Sequence, residues 1–121
     1  MYADWMPVML KSALLQHLTD DEDWAAKIHT MTAMLSMPLD YKLINAVAKN
    51  LDDNNWPVRM MANFLLAKKQ GENFAKVLDY SARYDSNELV RDMAVALGAP
   101  PPQIKQTPGN LEKLYLSSNN W

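Results

Sequence analysis

Three stretches of this chain align with one another at a spacing of 32 residues, and each carries an acid followed six residues later by a base. The acids are Asp21, Asp53 and Asp85, and the bases are Lys27, Arg59 and Arg91. A fixed period of about 20 to 50 residues is typical of solenoids, whose units bury apolar surface by stacking on their neighbours. The spacing therefore predicts a scaffold, and a scaffold does not by itself specify a ligand.

Helical patterns follow one another with links of only a few residues. We expect helices over about residues 4–18, 24–36, 39–51, 56–70, 73–84 and 87–97. Because short links favour antiparallel neighbours, we expect the second helix to pair with the third and the fourth with the fifth. The first and sixth helices are then open half-units. The predicted fold is an all-α, short solenoid of about six helices plus a C-terminal capping element.

The fourth predicted helix carries an apolar stripe at positions i, i+3, i+4 and i+7, the spacing of one helical face. Its members are Val58, Met61, Ala62 and Leu65, and the sixth helix repeats them as Val90, Met93, Ala94 and Leu97. His29 aligns with Met61, so we expect it to be a partly buried packing residue. Trp24 and Trp56 also align, which favours packing between repeats over stacking on a ligand.

A change of character divides the chain into a repeat domain, 1–98, and a tail, 99–121. The tail opens with three successive prolines at positions 100–102, which favour an extended path. Residues 110–116 contain three leucines and a tyrosine, and we predict that they dock on the C-terminal end of the repeats as a cap. The alternative is a linear motif that binds a partner or a neighbouring copy.

The segment from Asp53 to Ala62 reads Asp-x-x-Trp-Pro-Val-Arg-x-x-Ala and resembles the first helix of a HEAT repeat, in a short form similar to compact bacterial HEAT-like repeats. The resemblance covers about residues 20–98. It implies that Asp53, Arg59, Asp85 and Arg91 form a ladder between neighbouring repeats. The first of the three aligned stretches, which we call the first copy, departs from the pattern, because it has Lys27 in place of arginine and lacks the valine.

Composition excludes several kinds of chemistry. The absence of cysteine rules out disulfides, thiolate metal sites and cysteine nucleophiles, and the two histidines have no metal-binding spacing. No phosphate-binding glycine loop or serine-nucleophile motif occurs. We therefore expect a non-enzymatic protein without a cofactor or metal. No apolar run approaches the ~20 residues of a membrane span, and no signal-peptide pattern opens the chain, which favours a soluble protein of the cytoplasm.

A surface pattern recurs on the third and fifth helices and would form a basic stripe if these helices line a concave face. We call this set the basic stripe; it comprises Lys42, Asn45, Lys49, Lys76, Tyr80 and Arg83. An ordinary solvated helix face is the competing interpretation. As a site, the stripe would bind a protein or peptide, for example an acidic one, or the phosphate backbone of a nucleic acid.

The leading functional prediction is a non-enzymatic interaction or scaffolding module, either alone or within a larger assembly. Nucleic-acid binding is the alternative, although the net charge of -2 and the pI of about 5.6 count against it. The open half-units at the two ends also predict that two copies could stack into a homodimer.

Overall fold

A computed structural model describes residues 8–20 and 23–100, except for the side chain of residue 20. Its α-helices are α1 (Val8–Asp20), α2 (Trp24–Met34), α3 (Tyr41–Lys49), α4 (Trp56–Gln70), α5 (Ala75–Tyr84) and α6 (Glu88–Ala96). Short 3₁₀ turns, Asn50–Asp52 and Gly71–Phe74, follow α3 and α4. No strand occurs in these two ranges, so the all-α prediction is confirmed. No helix among them is long and apolar enough to cross a membrane.

The starts of α2, α4 and α6 follow the 32-residue period, with N-cap residues Asp23, Asn55 and Asn87. Asp23 accepts a hydrogen bond from the backbone N–H of Ala25 at 3.0 Å, and Asn87 accepts one from Leu89 at 2.7 Å. Such caps satisfy N–H groups that have no partner within the helix. Asn55 makes no such bond, and a proline in the first turn of α4 supplies the helical φ angle instead.

Two side chains join helices that lie one period apart. The Asn50 side chain is buried, and its Nδ2 donates to the carbonyl oxygen of Leu18 at 3.2 Å. Lys69 Nζ donates to the carbonyl oxygen of Met37 at 2.8 Å. Both contacts span 32 residues and satisfy carbonyl groups near the C-terminal ends of α1 and α2.

The two predicted stripes face the core. Val58, Ala62 and Leu65 on α4 are fully buried, as are Val90 and Ala94 on α6. The other buried apolar residues come mainly from α1 to α5 and from the second 3₁₀ turn, including Leu18, Met31, Met34, Leu43, Val47, Leu66, Phe74, Leu78 and Ala82. A continuous core of this kind supplies the main stabilising free energy of a small helical domain.

The first copy packs less completely than the alignment predicts. His29 is exposed, which corrects the expectation of a partly buried residue, and Trp24 is 45% exposed. The helix α4 contacts both α2 and α6, whereas α2 is the first member of this row among the described helices. A residue on the outer flank of α2 therefore lacks the neighbour that covers its counterpart on α4.

The contacts between consecutive helices differ from the predicted pairing. Packing links α1 with α2, α3 with α4 and, most extensively, α5 with α6, whereas α4 and α5 touch over a small area. Fully buried Ala82 on α5 and Ala94 on α6 are small, which allows these two helices to approach closely. Link length predicts that neighbours are antiparallel, but it does not predict which flank of a helix is covered.

Some sequence-based expectations fall on residues outside the described ranges. The acid of the first copy, Asp21, is one of them. The predicted cap at residues 110–116 is another, because the described chain ends at Pro100.

Candidate functional site

The base of one repeat copy binds the acid of the next. Arg59 Nε lies 2.9 Å from Asp85 Oδ2, and Arg59 Nη2 lies 3.0 Å from Asp85 Oδ1. The guanidinium therefore donates two parallel hydrogen bonds to the carboxylate. Arg59 Nη1 also donates to the backbone oxygen of Asp53 at 2.9 Å. Arg59 therefore connects the backbone of Asp53, the acid of its own repeat copy, with the side chain of Asp85, the acid of the following copy.

Lys27 and Asp53 form the equivalent contact one period earlier. Lys27 Nζ lies 2.7 Å from Asp53 Oδ2, and both this pair and Arg59–Asp85 span 26 residues. An ammonium group is a point charge and cannot reproduce the fork of a guanidinium. The first contact therefore consists of one short bond where the second has two.

Arg91 occupies the third equivalent position. Its Nη1 donates to the backbone oxygen of Asp85 at 2.7 Å, as Arg59 Nη1 does to Asp53. Among the described residues no acidic side chain forms a salt bridge with Arg91. The structure thus brings Arg59 and Asp85 together as a side-chain pair, and joins Arg91 to Asp85 through the backbone.

The two paired carboxyl groups have lowered pKa values. Burial alone would raise the pKa of Asp85, but hydrogen bonds from Arg59 and the backbone N–H of Asn87, with the charges of Arg59 and Arg91, more than offset it. Burial likewise opposes the shift at Asp53, where the Lys27 hydrogen bond and charge lower the pKa. The pKa of Arg59 is raised, chiefly by its hydrogen bonds to Asp85. Both pairs are therefore charged in the folded protein.

An open groove of about 540 Å³ lies beside these pairs, between the C-terminal end of α3 and helix α5. The residues that line it on the α3 side, including the following turn, are Ala48, Leu51, Asp52, Asp53 and Asn54. Those on the α5 side, and the loop after it, are Val77, Tyr80, Ser81, Tyr84, Asp85 and Ser86, and Arg59 of α4 also lines the groove. Its volume lies within the ~300–1,000 Å³ range of ligand-binding clefts.

Two tyrosines are the most exposed large apolar residues among the described residues that line the groove. Tyr80 and Tyr84 are 64% and 65% exposed, their ring centroids are 4.9 Å apart, and the rings are tilted by 52°. Val77 on the same helix is 40% exposed. Large side chains left exposed together are typical of surfaces that bind another molecule.

Only Tyr80 of the basic stripe lines the groove. The other members are exposed residues outside its lining: Lys42, Asn45, Lys49, Lys76 and Arg83. Arg83 Nε is also engaged by Asp79, 3.2 Å away and one turn earlier on α5. The described lining, with one basic residue, Arg59, and three acidic ones, differs in charge from the stripe that the sequence predicts.

Sequence reasoning did not single out Tyr84, Val77 or Asp52. The spacing of Tyr80 and Tyr84 by four residues on a helix was a signal that could have found the aromatic pair. Asp52 comes from a distant segment, and no local pattern relates it to the tyrosines.

A second, smaller cavity of about 250 Å³ lies at the end of the described chain. Its apolar lining includes Ala67 of α4, Leu78 of α5, and Leu97 and Ala99 after α6. Among the described residues, no group of three or more histidine, aspartate or glutamate side chains could hold a metal ion.

These features define an all-helical protein with a periodic network of acid–base contacts and an exposed aromatic groove. Comparison with known proteins finds no matching family model, no matching curated protein and no matching solved structure.

Proposed function

We propose that this chain is a non-enzymatic protein-interaction module built as a short HEAT-like solenoid. Two salt bridges of equal sequence separation, Lys27–Asp53 and Arg59–Asp85, support the repeat arrangement. The row of contacts from α2 to α4 to α6, together with the contact between α1 and α3, supports stacking of equivalent helices. A solenoid of this type offers side chains from successive units to one extended partner.

The exposed pair Tyr80–Tyr84 beside an open groove is the observation that carries the binding proposal. Tyrosine provides a large contact area with few rotatable bonds, so binding restricts little side-chain freedom. Each of these residues is more than 60% exposed, and the part of its surface that stays in water contributes no burial free energy to folding. Burying them against a partner segment removes this apolar area from water.

Selection from a random peptide display library on the immobilised protein tests the proposal. The double substitution Tyr80→Ala with Tyr84→Ala removes the aromatic pair, and Tyr41→Ala serves as the matched control. Tyr41 is 73% exposed on α3 and does not line the groove. We expect peptide families that enrich on the wild type and on the control but not on the double variant. Failure of any family to enrich on the wild type, or equal enrichment on all three proteins, would refute the proposal.

Nucleic-acid binding is the second candidate because the lysines of the basic stripe carry free charge. Lys42, Lys49 and Lys76 are exposed, and none forms a salt bridge with a described residue. A salt-dependent electrophoretic shift of labelled DNA that disappears on combining Lys49→Glu with Arg83→Glu would favour this function. Absence of a shift at low salt would leave peptide binding ahead. Light scattering distinguishes either activity from simple self-association through the solenoid ends.

A further inference from the structure

The charges lining the groove between α3 and α5 determine which partners it can accept. The described part of the lining contains the carboxylates of Asp52, Asp53 and Asp85 and one guanidinium, that of Arg59. The Arg59 guanidinium already has partners within the protein, because Nε and Nη2 bind Asp85 and Nη1 binds the backbone of Asp53. Among the described residues that line the groove, none therefore offers a free cation to receive an anionic group.

The carboxylate of Asp52 is the acid available to a partner. Asp53 and Asp85 are each engaged by a base, whereas Asp52 is exposed and forms no salt bridge with a described residue. The bases that the sequence predicts for this region do not reverse its charge. Lys42, Lys49 and Lys76 lie outside the lining, and Arg83 is held by Asp79.

The tyrosine pair adds an attraction for cations that is independent of the carboxylates. The face of an aromatic ring carries negative charge density and attracts an ammonium or guanidinium group placed over it. Tyr80 and Tyr84 are tilted by 52° with centroids 4.9 Å apart, and most of both rings is open to solvent. Leu51 and Val77 line the same groove and can pack on the aliphatic stem of a long basic side chain.

We propose that this groove binds a basic segment of another protein, with an arginine or lysine side chain lying against Tyr80 and Tyr84 and its charge directed to Asp52. This inference rests on the proposed function and assigns the chemistry of the partner. It reverses the sequence-based expectation of an acidic peptide. Arginine is preferred over lysine, because the flat guanidinium stacks on a ring and forms two hydrogen bonds with a carboxylate.

Fluorescence anisotropy with two synthetic probes tests the charge preference. The first is a fluorescein-labelled octapeptide of alternating arginine and leucine, and the second has glutamate in place of every arginine. We expect the arginine peptide to bind the full chain at least about tenfold more tightly than the glutamate peptide, with an affinity that falls as salt is added.

Matched variants separate the groove from the general charge of the protein. Asp52→Asn and Asp92→Asn remove one negative charge each, but Asp92 is an exposed residue of α6 that does not line the groove. Tyr84→Ala and Tyr41→Ala are paired in the same way. We expect Asp52→Asn and Tyr84→Ala each to weaken binding of the arginine peptide by about fivefold to tenfold, and the two controls to change it less than twofold. Equal effects at Asp52 and Asp92, or equal binding of the two probes, would overturn the inference.

The peptide selection described above distinguishes failure of this inference from failure of the proposed function. Enrichment of arginine-containing and lysine-containing peptides that depends on Tyr80 and Tyr84 supports both. If enrichment depends on the tyrosines but the enriched peptides are neutral or acidic, the proposed interaction module is retained and the proposal of a basic partner is overturned. Circular dichroism of each variant verifies that it is folded, and since every substituted side chain is exposed, we expect native spectra.

Discussion

Removal of the Arg59 guanidinium should cost more stability than removal of any other base that forms a salt bridge in the described chain. The change Arg59→Met keeps an unbranched apolar stem but deletes both bonds to Asp85 and the bond to the Asp53 backbone. The Asp85 side chain is only 8% exposed, so its carboxylate would be left poorly hydrated and without its cation. That uncompensated charge is the main source of the expected destabilisation.

The burial of each ion pair and the number of its hydrogen bonds determine how much unfolding free energy each substitution should remove. Removing one partner of a fully buried ion pair costs about 3–5 kcal/mol, and incomplete burial lowers this to roughly 2–4 kcal/mol for Arg59→Met. Lys27→Met removes a single contact at 2.7 Å, and we expect a loss of about 1–2 kcal/mol. Arg83→Met breaks an exposed pair within one helix, so the loss should be about 0–0.5 kcal/mol.

Urea unfolding followed by far-ultraviolet circular dichroism measures all three free energies on one scale. The slope of the unfolding free energy against urea concentration should stay constant across the series, because none of the changes alters the surface exposed on unfolding by much. A double-mutant cycle of Arg59→Met with Asp85→Asn isolates the pair. We expect a coupling free energy of about 1–3 kcal/mol between these two residues.

A loss of stability for Arg59→Met no larger than that for Arg83→Met, or a cycle without coupling, would refute this prediction. Either result would mean that the contact between repeat copies contributes nothing to stability, whatever its geometry. A larger loss for Lys27→Met than for Arg59→Met would contradict the argument that the two-bond fork is the stronger contact.

Three further predictions concern acid stability, a buried amide and the tail. The pKa of Asp85 is lowered from the ordinary 3.8, so the stabilisation that its carboxylate provides is present above that pH and is lost as the pH falls through the pKa of the folded state. The urea concentration at the unfolding midpoint should therefore fall below about pH 4, and the fall should be less steep in Asp85→Asn. Asn50→Leu leaves the Leu18 carbonyl without its side-chain donor and should lower the unfolding free energy by about 1–3 kcal/mol; an unchanged midpoint would contradict this. A chain shortened after Gly98 should lose a few kcal/mol if residues 110–116 cap the repeats. An unchanged melting temperature in a monomeric shortened chain would instead favour the partner-motif alternative.

Local sequence rules account for much of the helical architecture. The three caps Asp23, Asn55 and Asn87 recur at the period that the alignment identifies, since a helix start depends on a few neighbouring residues. The stripe that includes Val58 and Leu65 is buried, because positions three and four apart share one face of any helix. His29 shows the limit of this reasoning, because its burial depends on a neighbouring helix and the pattern does not include that neighbour.

The sequence by itself determined the all-helical class and the period, because the helical patterns and the aligned stretches can be read along the chain. Only the tertiary structure decided that α5 packs mainly on α6, and that the groove brings Asp52 near Tyr80 and Tyr84 with three acids and one base. Those outcomes depend on how distant helices lie against one another, and local patterns carry no information about that placement. For the same physical reason the sequence predicts the basic stripe from residue spacing, whereas the charge of the residues that line the groove follows from the folded chain.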